Sequence, residues 1–333
     1  MPGTQFDVVA IGNAIVDIIG RCDDGFLDRH GAPKGHMRLV DTGTINSLYN
    51  AMGPGIEISG GSAANTVAGV ASLGGKAAFI GKVAEDEFGR IFRHDIGAAG
   101  VSFKTPAVVD SSRSTSRSLI LVTPDGQRTM NTFLGISTDL DQGEVDPAVI
   151  QASGIVYLEG YLFDRDEAKA AFRQAVDIAN KAGRRVALTL SDSFCVNRHR
   201  DEFLALIRSG IAILFANESE ILSLYQTDSF DEAAKSVARD TRLAVLTRSE
   251  KGSIIVSDGQ QIVVSADPIR KVVDTTGAGD LYAAGFLFGL ARDYDLETAG
   301  KLGSFAAAEI IGQMGARPEV KLSHLARMRG LIG

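Results

Sequence analysis

The 333-residue sequence has only two cysteines, Cys22 and Cys195, and neither lies in a CxxC or CxxH pattern. That excludes a disulfide framework and a cysteine-based zinc site, and it favours a reducing compartment such as the cytoplasm. Basic residues are also few, with 34 Lys and Arg against 41 Asp and Glu and a net charge of −7. This balance argues against general binding to nucleic acid or to anionic membranes.

Long apolar runs and two familiar nucleotide motifs are missing as well. No stretch reaches the roughly 18–20 uncharged apolar residues of a membrane helix, and no basic residue precedes Arg21, unlike in a signal peptide. A GxGxxG pattern would need glycine where Tyr282 stands, and no Gly-Lys pair has the upstream glycine of a Walker A loop. Both nucleotide motifs are therefore absent, and we expect a soluble, cytoplasmic protein.

Short β-branched apolar segments alternate with amphipathic ones along most of the chain. The clearest predicted strands are residues 7–12, 77–83, 154–160, 185–190, 211–217 and 243–248. Their nearly continuous apolar character is typical of parallel strands that are buried on both faces. Segments 62–74 and 166–183 have the spacing of amphipathic helices. The alternation predicts an α/β fold with a mostly parallel sheet and helices on both faces.

Residues 18–58 and 101–137 break this alternation. The second region contains SLILVTPDGQRTMNTF, which alternates apolar and polar positions around a PDG turn and predicts a β-hairpin. An antiparallel insertion on a parallel scaffold suggests either a lid or a dimer surface.

The stretch DTTGAGD, residues 274–280, joins an apolar strand-like run to a helix-like pattern. Glycines 277 and 279 let the backbone approach a ligand closely, and the following helix offers unpaired N–H groups and the positive end of its dipole. Residues 274–279 are therefore predicted to bind an anion, and we call them the anion turn. Asp280 adds a carboxylate beside it, although an acidic residue here can also serve only to favour the helix start.

Two further motifs are typical of polar ligand sites. In SGGSAAN, residues 59–65, Gly60 and Gly61 permit close approach while Ser62 and Asn65 offer polar groups to a hydroxyl-rich ligand; the alternative is an ordinary capped helix. In NESE, Asn217 and Glu220 share one side of a helix start and could hold hydrated magnesium. The alternative for that pair is a capping box.

In this order, SGGSAAN, NESE, TRSEKG (247–252) and DTTGAGD resemble the ribokinase-like (phosphofructokinase B) family of carbohydrate and nucleoside kinases over nearly the whole chain. The resemblance implies a single three-layer α/β kinase domain over residues 1–333. It also implies that residues 18–58 and 101–137 form a β-rich lid and that residues 150–333 form the ATP-binding and catalytic half.

The resemblance also implies roles for individual residues. Asp280 would be the general base, and the amides of Gly277, Ala278 and Gly279 would form the anion hole. Asn217 and Glu220, the latter through water, would order Mg²⁺ for ATP. The nucleotide would contact Asn217, Thr247, Gly252, Thr275, Gly277 and Gly279. The acceptor would be held by Asn13, Asp17, Gly60, Gly61, Ser62 and Asn65.

The branch of the family bears on the acceptor. Ribokinases proper usually carry GGKGAN, and Ser62 replaces that lysine here. GNAIVDI (12–18), QRTMNTFLG (127–135) and LTLSDSF (188–194) are more similar to the adenosine kinase branch. There Arg128 would approach the transferring phosphate, unless it is only a solvated hairpin residue. A nucleoside, adenosine first, is the expected acceptor, and a ribose, fructose or 2-keto-3-deoxygluconate kinase is the alternative.

Other expectations follow from the family or compete with it. Relatives often respond to K⁺ through loops matching Asp274, Thr276 and residues 313–317, and many form homodimers through the lid. A catalytically silent binding protein is the rival class, but the intact DTTGAGD and NESE motifs argue against it. The expected partner is thus a small nucleoside or sugar.

Overall fold

The computed structural model describes residues 4–333, so residues 1–3 of the predicted 1–333 domain lie outside the described residues. The strands are β1 Phe6–Ile11, β2 Ile15–Arg21, β3 Met37–Leu39, β4 Gly55–Gly60, β5 Ala77–Ile80, β6 Val101–Phe103, β7 Ser116–Val122, β8 Arg128–Phe133, β9 Ser153–Glu159, β10 Arg185–Thr189, β11 Ile213–Asn217, β12 Leu243–Thr247, β13 Ser253–Ser257 and β14 Gln260–Val264. The helices are α1 Asp24–Arg29, α2 Thr42–Ala51, α3 Ser62–Ser72, α4 Glu87–Ala98, α5 Pro147–Gln151, α6 Asp166–Lys181, α7 Ser193–Arg208, α8 Glu218–Tyr225, α9 Phe230–Asp240, α10 Ala278–Ala291, α11 Leu296–Ile311 and α12 Leu322–Met328. Short 3₁₀ turns cover Gly135–Asp139, Gln142–Glu144, Gly160–Asp164 and Ser249–Lys251.

Within residues 4–333, the larger sheet has nine strands in the order β14-β13-β12-β11-β10-β9-β1-β5-β6. Neighbours from β12 to β6 are parallel, and β13 and β14 add an antiparallel edge. One face packs against α3, α10 and α11, and the other against α6, α7, α8 and α9. Because both faces are covered, the central strands are apolar throughout. The predicted α/β fold is confirmed. The six strands predicted from the sequence correspond to β1, β5, β9, β10, β11 and β12.

The smaller sheet has the order β3-β8-β7-β2-β4. Its β7 and β8 form the predicted hairpin, which closes where Thr123 N–H donates to the Gln127 carbonyl at 2.9 Å. The boundaries of the predicted lid segments need correction: residues 101–103 form β6 of the larger sheet, whereas β2 starts at residue 15 and β4 ends at residue 60. Strand β6 stays with the larger sheet because Phe103 packs on the rings of Phe79 and Phe92.

Close packing of α3 on α10 positions the site. Helix α10 is apolar on all sides because it is almost entirely buried. At their contact, a Cβ on Gly69 would lie 2.6 Å from Ala284 Cβ, so only glycine permits this spacing. The N-termini of α3 and α10 therefore converge at the carboxyl edge of the larger sheet. No helix in the described chain has both the length and the apolar character to span a membrane.

Candidate active site

The anion turn leads into α10 as predicted, but residues 272 and 273 before it do not form the predicted strand. Gly277 has φ +78°, and a Cβ there would lie 2.6 Å from Ala316 Cβ, so glycine is required on both grounds. The N–H groups of Gly277, Gly279 and Asp280 have no acceptor in the described part of the chain. A Cβ built on Gly279 would meet no atom of residues 4–333 within 4 Å. The turn thus presents unpaired donors to open space, as an anion site needs.

Asp280 lies in the first turn of α10 and is held by two residues of α3. The Ser62 hydroxyl donates to Asp280 Oδ1 at 2.6 Å, and Asn65 Nδ2 donates to Oδ2 at 3.0 Å. Burial raises the pKa of Asp280, while these two hydrogen bonds and the charge of Arg317 oppose that rise. Asn65 Oδ1 is buried without a partner among the described residues, which leaves an acceptor for a ligand. The structure therefore brings the predicted base and two predicted acceptor-binding residues together.

The glycines of the acceptor turn, which we define as residues 59–62, make room for the Asp17 carboxylate and for the Asn13 backbone. A Cβ on Gly60 would collide with the Asp17 carboxylate, and a Cβ on Gly61, where φ is +96°, would collide with the Asn13 carbonyl oxygen. Burial and the charge of Asp280 raise the pKa of Asp17 to about 7, against the opposing charges of two arginines. Asp17 is therefore a second carboxylate whose charge interacts with that of Asp280.

Asn13 is engaged within the protein and does not face the open part of the site. It is 2% exposed; its Nδ2 donates to Glu159 Oε1 at 2.7 Å, and its Oδ1 accepts from the Ser137 hydroxyl at 2.8 Å. This arrangement contradicts the predicted direct contact between the Asn13 side chain and the acceptor. Asn13 instead anchors Glu159, whose Oε2 accepts from Ala63 N–H at 2.8 Å at the start of α3.

Glu159 was missed by the sequence reasoning. It ends β9 and is 1% exposed, and its burial raises its pKa to about 7 even though three N–H groups donate to it. The available signal was a carboxylate at the carboxyl end of a predicted buried strand, where α/β sheets place their ligands.

Arg128 reaches from the smaller sheet to the anion turn. Its Nη1 forms an ion pair with Asp274 and lies 3.4 Å from the Thr276 hydroxyl. Asp274 also accepts from the N–H groups of Thr276 and Gly315 at 3.0 and 2.9 Å. Arg128 Nη2 is buried and has no partner within residues 4–333. The alternative of a solvated hairpin residue is wrong, because the Arg128 side chain is only 11% exposed.

Asn217 and Glu220 form the capping box that was the alternative to a magnesium site. Asn217 Oδ1 accepts from Glu220 N–H at 2.9 Å, while Asn217 N–H and Nδ2 donate to the Glu220 carboxylate at 3.0 and 2.6 Å. Burial and the nearby charge of Asp192 raise the pKa of Glu220 to about 7. Because each carboxylate oxygen carries two lone pairs, a contact through water remains open to Glu220.

Three further residues were predicted to contact the nucleotide: Thr247, Thr275 and Gly252. Thr247 ends β12 directly beside Asn217 of β11 in the parallel register, at the sheet edge where ligands bind. Thr275 is exposed in the anion turn. Gly252, however, has φ +82°, and a Cβ there would collide with the Val264 carbonyl, so packing against β14 by itself requires a glycine.

A cavity of about 390 Å³ lies between the smaller sheet and the 3₁₀ turn after β9. Its walls include Leu39, Val40, Phe133, Leu134 and Tyr161. Burial raises the pKa of Tyr161, and the charges of Asp192, Asp280, Glu220 and Glu159 add to that rise. The walls of the cavity also include charged residues, among them Arg113 and Asp164, and Asp280 is not one of the residues that line it.

Comparisons of this chain with known protein families and structures agree with the geometry of the site. A model of the pfkB family of carbohydrate kinases matches residues 57–321. The chain is 50% identical to a probable sugar kinase from Rhizobium etli (99% and 100% of the two chains covered, TM-score 0.91) and 52% identical to the adenosine kinase from Sinorhizobium meliloti (98% and 99% covered, TM-score 0.90). It is also 30% identical, over 85% of its length and 92% of the other, to an ATP-dependent ribose-1-phosphate kinase from Halopiger xanaduensis.

The chain belongs to the pfkB family of carbohydrate kinases. It is a phosphotransferase that acts on a hydroxyl group of a sugar or nucleoside, and ATP is the phosphoryl donor typical of its family.

Proposed function

We propose that the chain transfers the γ-phosphate of ATP to a primary hydroxyl of a nucleoside, adenosine first. The observation that carries the transfer chemistry is the Asp280 carboxylate beside the unpaired N–H groups of the anion turn. The cavity beside the 3₁₀ turn after β9 has aromatic and aliphatic walls as well as charged ones, and it supports an acceptor that has a flat apolar part. The 52% identity to an adenosine kinase supports the same choice.

In the proposed mechanism, Asp280 takes the proton of the acceptor hydroxyl while Ser62 and Asn65 fix its carboxylate. The N–H groups of Gly277 and Gly279 receive the oxygens of the transferring phosphoryl group. One such donor typically contributes about 2.7–4 kcal/mol to transition-state stabilisation, and a positioned base about 10²–10⁴ in rate. The unpaired Nη2 of Arg128 is a further donor beside the same turn.

Asn217, Thr247 and Thr275 would line the nucleotide, and Glu220 would hold magnesium through water. Within residues 4–333 no cluster of three or more His, Cys, Asp or Glu side chains is placed to bind a metal directly, which fits a water-mediated role. When bound with ATP, Mg²⁺ neutralises charge on the phosphates. A K⁺ response stays a prediction, since the Asp274 oxygens already accept from Thr276, Gly315 and Arg128.

We further infer that the smaller sheet closes over the acceptor as a lid, because its Arg128 already contacts the anion turn. A closed lid would exclude water that otherwise hydrolyses ATP. Dimerisation through this sheet, a cytoplasmic location and the lack of nucleic-acid or membrane partners stay predictions.

A sugar is the second candidate acceptor. The observation favouring it is the 50% identity to a probable sugar kinase, which nearly equals the identity to the adenosine kinase. Both candidates use the same base and anion turn, so they differ only in what fills the cavity.

The test follows ADP formation from MgATP with adenosine, inosine, ribose, fructose and 2-keto-3-deoxygluconate. Turnover with adenosine, reduced by at least about 10²-fold in Asp280→Asn, is the expected result. Turnover with a sugar alone would keep the mechanism and replace the acceptor. No turnover with any of the five would reject the proposed function.

A further inference from the structure

Arg317 lies in the segment 313–317, and all three of its side-chain nitrogens donate hydrogen bonds to the acceptor turn or to the start of α3 just after it. Its Nε and Nη2 donate to the Ser59 carbonyl at 2.8 and 2.6 Å, and Nη1 donates to the Ala64 carbonyl at 2.7 Å. The guanidinium therefore bridges Gly60 and Gly61 from the end of β4 to the first turn of α3. A rigid planar group with several donors suits such a bridge better than any other side chain.

Ser59 is fixed from its other side by Asp95 of α4. The Asp95 carboxylate accepts from Ser59 N–H at 2.8 Å and from the Ser59 hydroxyl at 2.6 Å, while Arg317 Nη2 lies 3.0 Å from that hydroxyl. The acceptor turn thus sits between two opposite charges that hold its backbone in place.

The same short segment also holds the anion turn. Gly315 N–H donates to Asp274 Oδ2 at 2.9 Å, and Ala316 packs so closely on Gly277 that no Cβ fits there. Consecutive residues of one segment therefore fix the acceptor turn by a side chain and the anion turn by the backbone. The distance between these two turns decides how far the acceptor hydroxyl is from the phosphate.

Arg317 also acts electrostatically on the carboxylates of the site. Its charge lowers the pKa of both Asp17 and Asp280, although burial raises each overall. Burial lowers the pKa of Arg317 itself to about 10, so it is charged at neutral pH. The other groups that interact with Asp280 by hydrogen bonds or by charge are Ser62 and Asn65 of α3, Asp17 of β2, Tyr157 and Glu159 of β9, and Tyr161 in the 3₁₀ turn after β9.

We propose that Arg317 is a positioning residue for phosphoryl transfer, which fixes the spacing between the acceptor turn and the anion turn. The inference rests on the proposed role of Asp280 as base, but it does not depend on whether the acceptor is a nucleoside or a sugar. The charge of Arg317 also opposes the rise in the pKa of Asp280, so geometry and charge predict separate effects.

Two substitutions separate these effects. Arg317→Gln removes the charge and the fork of donors, whereas Arg317→Lys keeps a charge but cannot bridge the two carbonyls. With the acceptor found active in the panel, we expect both variants to raise the acceptor KM and lower kcat by about tenfold or more, and to leave the ATP KM within about twofold. We expect the acid limb of the pH profile of kcat to move up by about one unit in Arg317→Gln alone.

The control is Arg208→Gln, which removes a bidentate pair with Asp240 on the surface at α7. It should leave both KM values and the pH profile unchanged. Equal changes in the two KM values would reduce Arg317 to a residue of general stability and overturn the proposal. An acid limb that does not move in Arg317→Gln would contradict the charge effect on Asp280 alone.

Hydrogen–deuterium exchange distinguishes this failure from failure of the proposed function. Whether or not any acceptor is turned over, Arg317→Gln and Arg317→Lys should speed exchange in residues 59–66 and 274–280, whereas Arg208→Gln should not. Unchanged exchange in both Arg317 variants would show that Arg317 does not hold the turns.

Discussion

The Ser62 hydroxyl donates to the Asp280 carboxylate at 2.6 Å, which joins the first turns of two helices through residues 218 apart in sequence. This bond exists because α3 packs on α10 with a glycine at the contact. Besides its proposed place in the acceptor site, Ser62 orients the proposed base and stabilises its ionised form.

The first prediction concerns Ser62→Ala. Since the hydroxyl lowers the pKa of Asp280, its removal raises that pKa, and the acid limb of kcat/KM should move to higher pH. A hydrogen bond to a charged group contributes about 1.5–3 kcal/mol, so we expect the acid limb to move by about one to two units. Activity should then fall more at pH 6 than at pH 8. Ser209→Ala, which removes a bond to the Leu206 carbonyl at the end of α7, is the control. Profiles of Ser62→Ala and wild type that run parallel would contradict the assigned role.

The second prediction is that the two glycines of the anion turn respond differently to substitution by alanine. Gly279 is in the first turn of α10, and a methyl group there meets no described atom within 4 Å, so Gly279→Ala should leave stability equal or raise it by up to about 1 kcal/mol. The methyl group would project into the space assigned to the phosphate, and kcat/KM should fall at least about tenfold.

Gly277→Ala should behave differently. Its positive φ costs a side chain about 1–2 kcal/mol, and Ala316 has to move as well, so thermal unfolding should shift downwards. Gly97→Ala, another helical glycine with open space around it, is the control and should keep full activity. Full activity in Gly279→Ala as well would mean that the phosphate lies elsewhere.

The third prediction concerns the contact between the smaller sheet and the anion turn. Arg128→Gln leaves the Asp274 carboxylate, which is 5% exposed, without its cationic partner, and we expect a loss of about 3 kcal/mol in the free energy of unfolding. We also expect kcat to fall about 10²–10³-fold, because a donor beside the phosphate is lost. Urea unfolding and steady-state rates measure the two effects. The control is Arg242→Gln, which removes an exposed ion pair with Asp258. It should lower the free energy of unfolding by less than about 1 kcal/mol. A destabilised Arg128→Gln with normal kcat would limit Arg128 to a structural role.

Sequence reasoning predicted the features that local chemistry encodes. The anion turn and the acceptor turn could be predicted because glycine is needed where backbone φ is positive or where the backbone comes close to another group, and both conditions show in a few consecutive residues. The central strands could be predicted because burial on both faces demands continuous apolar segments. The hairpin β7–β8 followed from its alternation and its turn.

The features that were missed depend on partners distant in sequence. Arg317 binds the carbonyl groups of Ser59 and Ala64, and backbone carbonyls leave no trace in a sequence. Asn13 was expected at the acceptor, but its polar atoms face Glu159 and Ser137, which only the tertiary fold brings to it. The lid boundary at residue 101 was wrong because β6 is held by ring packing with Phe79 and Phe92.

The fourth prediction uses the capping box of α8 to test the pH dependence of stability. Burial raises the pKa of Glu220 from 4.5 to about 7, so folding takes up a proton at this residue between those values. The contribution of Glu220 to stability is thus full below about pH 4.5 and is lost as the pH rises through 7. Glu220→Gln does not titrate and keeps a carbonyl oxygen for the Asn217 N–H, so it should lose less stability than wild type between pH 5 and pH 8. We expect this difference to be on the order of 1–3 kcal/mol by urea unfolding without magnesium. The exposed Glu297→Gln in α11, which removes only a surface pair with Lys301, should follow the wild-type curve. If Glu220→Gln also followed it, the Glu220 carboxylate would titrate alike in the folded and unfolded chain, and its burial would not set its charge.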